Sequence, residues 1–206
     1  MDAALGILVG VSLAAACGFR VFVPMLVAGL AVRGEYVQVI DTFAWLGSDA
    51  ALTAFAVATV AEVAGYFVPW LDNALDSLAT PAAVVAGTVL SGSMMVELDP
   101  WLRWTLAAVA GGGSAGVIQG SSVTTRAASS VSTAGLGNPL VAFGELGGAV
   151  GLAMLAVAAP LVAIFIVIAI VAFALRLLIR LGRRRRPAGE ALGNGDDSAS
   201  GDRWSQ

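Results

Sequence analysis

Long apolar runs separated by short polar breaks dominate this chain. The first extends from Ala3 to Val32 with Arg20 as its one charged residue, and Arg33-Gly34-Glu35 closes it. About twenty helical residues cross a bilayer core roughly 30 Å thick, so the run predicts a first membrane span. A loop carrying Asp41, Trp45 and Asp49 follows. The second span runs from Ala50 to Val68, contains Glu62, and ends at Pro69 and Trp70, because proline breaks helices and tryptophan favours the membrane interface. In Leu71–Thr80, Asp72 and Asp76 stand at i and i+4, on one helical face. Pro81 then opens a third span that reaches Val96, proline being favourable at a helix start.

Glu97-Leu98-Asp99-Pro100 makes the next turn, and Trp101 and Trp104 bracket Arg103 as an interfacial anchor. The fourth span, Trp101 to Ile118, includes Gly111-Gly112-Gly113-Ser114-Ala115-Gly116, whose small residues fit close helix approach in lipid. Ser121–Thr133 is less apolar and predicts a break or re-entrant segment around residues 120–138. Asn138 and Pro139 read as the N-cap and first residue of the next helix. From Leu140 to Leu175 only Glu145 is charged. Helical throughout, this stretch would extend about 54 Å. A turn built from alanine and proline alone lacks the usual glycine and polar punctuation, so one long helix kinked at Pro160 is preferred to two.

The expected fold class is therefore all-α, a polytopic transmembrane bundle of about five spans, with six as the alternative. Its helical domain covers residues 1–182, and a basic, then disordered tail covers 183–206. Arg183–Arg186 place the C-terminus in the cytoplasm of a cell-membrane protein by the positive-inside rule. Composition agrees: 58% of residues are hydrophobic, 12% are charged, and the mean hydropathy is +0.88. Soluble domains carry about 25% charged residues.

The lack of histidine removes the commonest zinc and proton-shuttle ligand. The single cysteine, Cys17, excludes a disulfide within the chain. Leu13-Ala14-Ala15-Ala16-Cys17 faintly resembles a lipoprotein cleavage site, but no basic residue precedes it and the apolar run continues past it. A packed cysteine is the preferred reading.

The candidate chemistry lies in the isolated charges. An arginine at membrane depth costs at least about 2.5–3.5 kcal/mol on insertion scales and usually has a partner or marks a pathway. Arg20 is therefore a structural ion-pair member, a residue lining a solute or ion path, or a side chain that snorkels. Glu62 is its natural partner if the first two helices pair antiparallel. Arg126, among serines and threonines, could receive an anion with help from the helix start at Asn138. An ordinary solvated loop arginine is the alternative. Glu145 would face Arg126 if the Ser/Thr segment dips into the membrane, so that a second Arg–Glu pair echoes the first. Asp72 and Asp76 are candidate cation-binding carboxylates, or else solvated loop charges. No catalytic residue, resident metal, cofactor or nucleic-acid partner is expected. The expected partners are the lipid bilayer and a small solute or ion, with a homo-oligomer left open.

Gly18-x-Arg20-x-Phe22-x-Pro24 and Phe43-Ala44-Trp45-Leu46-Gly47-Ser48 together resemble the family described as domain of unknown function (DUF) 4126. Glu62-Val63, Pro69-x-x-Asp72-x-x-x-Asp76 and Gly135-Leu136-Gly137-Asn138-Pro139 before Glu145 extend the resemblance over residues 5–181. It implies a small multi-span membrane protein and carries no activity. Where the family has an Ala-Asp-Lys triplet after the Glu-Val pair, this chain reads Ala64-Gly65-Tyr66. The functional expectation is a transporter or permease-like protein using Arg20, Glu62, Arg126, Asn138 and Glu145. A membrane scaffold whose buried charges only fix packing is the competing reading.

Overall fold

The computed structural model describes residues 2–65, 69–133 and 137–184, with the side chains at 69–77, 139 and 181–184 excepted. Every regular element among them is helical. The apolar run expected to form one first span is two helices, α1 (Ala3–Cys17) and α2 (Phe22–Arg33), separated by Gly18–Val21. Pro24 explains the break. Its ring would collide with the Arg20 carbonyl in a continuous helix, whereas at the third position of α2 its missing N–H forfeits no helical bond. Cys17 ends α1 and is buried.

After α2 come a short 3₁₀ helix (Asp41–Gly47), α3 (Asp49–Gly65) and α4 (Pro69–Met94). The separate segment expected before Pro81 is part of α4, and Pro81 lies inside that helix instead of opening it. Next are α5 (Pro100–Leu106), a π-helical turn (Ala107–Gly112) and α6 (Gly113–Thr133). Asp99 caps α5 by accepting from the Trp101 amide at 2.9 Å. The Ser/Thr-rich stretch up to Thr133 is thus an unbroken helix. The hydroxyls of Ser121, Thr124, Thr125, Ser132 and Thr133 bond back to carbonyls three or four residues earlier, which lets a polar sequence remain helical. Residues 134–136 of the expected break lie outside the described chain.

The long helix expected from Leu140 to Leu175 is instead α7 (Asn138–Ala158) and α8 (Pro160–Arg184). Proline disfavours the helical conformation in the residue before it, and Ala159 adopts φ −147°, ψ 71°. Gly137 rather than Asn138 takes the N-cap position of α7. By length and composition, Leu140–Ala158 and Pro160–Arg180 are each able to cross a membrane. The 3₁₀ helix and α3, bent by 60°, qualify as a third span if taken together. Of the expected tail, residues 185–206 lie outside the described chain, while Arg183 and Arg184 end α8.

Small residues fix the central contact. Gly6, Gly10, Ala14 and Gly18 recur every four residues along α1, a spacing that lets helix backbones approach closely. A Cβ at Gly6 would stand 2.6 Å from the Met94 carbonyl oxygen, and one at Gly10 2.7 Å from that of Ser91. At Gly18 it would stand 2.5 Å from the Ala115 carbonyl oxygen. α1 is therefore antiparallel to α4, with its N-terminus at the Met94 end. The glycine run after α5 also packs: a Cβ at Gly111 would lie 2.6 Å from the Ser91 Cβ, and Gly112 abuts the Thr88 hydroxyl.

α2 returns to the Met94 end. Its Gly29 meets the Leu46 carbonyl, and Gly47 meets the Arg33 backbone. From that 3₁₀ helix the Phe43 ring packs on Trp104, 6.2 Å between centroids, and Trp104 covers Gly92 of α4. The Ile40 amide also donates to the Ser93 carbonyl at 3.0 Å. Hence α1 and α2 form a helical hairpin, with both outer ends at one end of the bundle and the Gly18–Val21 turn deep inside. The 15 residues of α1 rise about 22 Å and the 12 of α2 about 18 Å, each short of a bilayer core of roughly 30 Å. A chain reversal also separates α7 from α8. α7 climbs from the hairpin turn beside α1, and Gly120 of α6 reaches Leu178, low on the descending α8.

Candidate functional site

The hairpin turn brings Arg20 to the middle of α7. Its Nη2 donates to the Ala142 carbonyl oxygen at 3.1 Å and lies 3.5 Å from Glu145 Oε2. Arg126, two turns beyond the level of Gly18 on α6, comes to the same carboxylate from another side. Its Nε donates to Glu145 Oε1 at 3.1 Å and its Nη2 to Oε2. Arg20, Arg126 and Glu145 are only 2%, 5% and 5% exposed, which leaves direct contacts, not hydration, to satisfy their charges. The two-point guanidinium–carboxylate contact is the strong form of such a pair. α6 and α7 hold it in place as consecutive antiparallel helices, and the Asn138 amide group donates to the Ser130 hydroxyl at 3.0 Å near their junction.

Glu62 takes a different place from the one expected. It comes from α3, which does run antiparallel to α2, and reaches the two residues that follow Arg20 in sequence. Its oxygens, however, accept backbone amides: Oε1 from Val21 at 3.0 Å and Oε2 from Phe22 at 3.3 Å. The first amides of a helix have no partner within it, and a carboxylate there also meets the positive end of the helix dipole. The half-buried Glu62 is thus the cap of α2, supplied from a neighbouring helix. Among the described residues the ion pair of Arg20 is with Glu145.

Arg20, Arg126 and Glu145 therefore meet, Glu62 stands at the adjoining helix start, and Asn138 lies apart at the α6–α7 junction. The Asp72 and Asp76 side chains fall outside those described. Because the hydroxyls of α6 are turned onto their own helix, the expected hydroxyl cradle around Arg126 does not form from those that bond back. Sequence reasoning missed the Ala142 carbonyl and the packing of the Phe19 ring near Gly148, at 3.6 Å from the position of a Cβ there. No residue type marks a backbone acceptor, so the Ala142 contact left no signal.

A helical bundle with apolar helices of membrane-crossing length and a charged cluster inside it defines the class of this protein. The chain belongs to the family described as Domain of unknown function (DUF4126), whose model matches residues 7–180. No curated protein and no solved structure matches it.

Proposed function

We propose that this protein is a small-solute or ion transporter of the cell membrane, with its polar path at the tip of the α1–α2 hairpin. The observation that carries the reading is the Gly18–Val21 turn, a non-helical backbone at depth beside Arg20, Arg126 and Glu145. Irregular backbone at membrane depth is tolerated where protein buries it or where it lines a water-filled route, and transporters place solute sites at interrupted helices.

In this reading α1–α2 is re-entrant, and α3, α4, α5–α6, α7 and α8 make five crossings. Trp45, Trp101 and Trp104 lie at the interface of one side. Arg176, Arg180 and the arginines after them lie at the cytoplasmic side with the C-terminus. Arg20, Glu62, Arg126 and Glu145 are the path residues, and Asn138 stands at its cytoplasmic margin. The reading assigns them no catalytic step.

The scaffold reading draws on one observation, the near-complete burial of the Arg126–Glu145 pair. Flux from proteoliposomes separates the two. Transport predicts solute-dependent flux in the wild type that falls in both Arg20→Ala and Glu62→Gln. Equal flux in all three proteins would sink the pathway.

A further inference from the structure

Glu145 presents one carboxylate to two guanidiniums that arrive from different parts of the fold. Arg126 on α6 takes it at two points, while Arg20 on the hairpin turn touches Oε2 from 3.5 Å and holds the Ala142 carbonyl with the same nitrogen. The Arg20 contact is longer than the 2.7–2.9 Å typical of charge-assisted hydrogen bonds, so Arg20 grips this carboxylate less closely than Arg126 does. One planar anionic group between two arginines is the geometry in which proteins recognise carboxylates.

A buried arginine–glutamate–arginine arrangement contributes little net stability compared with apolar packing of similar volume. Packing alone thus gives weak reason to bring Arg20 of the hairpin turn and Arg126 of α6 to one carboxylate.

We infer that Arg20 and Arg126 form a binding site for a small carboxylate-class anion, with Glu145 as its tethered competitor. An incoming carboxylate takes the place of the Glu145 group between the guanidiniums, and Glu145 returns when it leaves. No bond is made or broken. The inference rests on the transport reading of this site and names its substrate class.

The test uses the full chain in lipid nanodiscs with formate and acetate as probes and chloride as the control. Glu145→Gln keeps the size of the side chain and removes its charge, while the Glu62 carboxylate stays at the adjoining helix start. Its thermal stabilisation by formate is expected to half-saturate at a concentration lower by about tenfold or more than in the wild type. Adding Arg20→Gln to that variant is expected to abolish the gain. Equal half-saturation in wild type and Glu145→Gln, or a response to chloride as strong as to formate, would overturn the inference.

Wild-type proteoliposomes supply a second reading that does not depend on the variant folding. Saturable formate flux supports the anion site, whereas cation flux without formate flux overturns it and leaves the transport reading standing. Formate binding by Glu145→Gln without any flux in the wild type supports the site and removes the transport reading instead.

Discussion

Glu62 on α3 caps α2 by receiving the amides of Val21 and Phe22, one on each carboxylate oxygen. Two amides at the start of a helix that begins inside the bundle thereby gain a protein acceptor. The hairpin tip depends on a side chain more than forty positions away in sequence.

Replacing Glu62 by alanine leaves those amides without their acceptor. The expected cost is about 0.5–2 kcal/mol, the range for losing a helix cap. Hydrogen exchange at Val21 and Phe22 should accelerate selectively, while amides in the middle of α7 keep their rates.

Removing one member of the buried ion pair should cost more. Arg126→Ala removes the two-point contact and leaves Arg20, at 3.5 Å, to balance the buried Glu145 charge, a loss that costs up to about 3–5 kcal/mol. Thermal unfolding in detergent should show a clear drop in midpoint for Arg126→Ala. Substituting the exposed Glu35 should leave the midpoint nearly unchanged.

The glycines of α1 and α7 should respond oppositely to the same change. Gly10→Ala puts a methyl group 2.7 Å from the Ser91 carbonyl oxygen, whereas a Cβ at Gly144 meets nothing within 4 Å. Overpacking at Gly10 should destabilise by about 1–3 kcal/mol. Gly144→Ala should be neutral or stabilising by up to about 1 kcal/mol through helix propensity. The two unfolding midpoints measured side by side test the α1–α4 contact.

The helical class and the charges that matter could be read from the sequence because an isolated arginine or glutamate in an apolar run is conspicuous. The Arg126–Glu145 contact was expected from a Ser/Thr segment dipping into the membrane, whereas it forms between two antiparallel helices, α6 and α7. Other features escaped. Hydropathy places Ala3–Val32 in one apolar stretch and does not register that Pro24 forbids a continuous helix through Arg20. Pro160 is a similar case: the missing glycine and polar punctuation favoured one long helix, yet the restriction that proline imposes on Ala159 was enough to end α7. The role of Glu62 could not be read locally, because it follows from the depth at which α3 passes the hairpin turn.

The proposed function requires the α1–α2 hairpin to be re-entrant, and the sidedness of its two ends tests that most directly. Single cysteines at Asp2 and Glu35, introduced into a Cys17→Ser background, can be labelled in intact cells with a membrane-impermeant thiol reagent. A hairpin predicts that both positions react from the same side of the membrane. Labelling of the two from opposite sides would make Ala3–Val32 a single crossing and contradict the account.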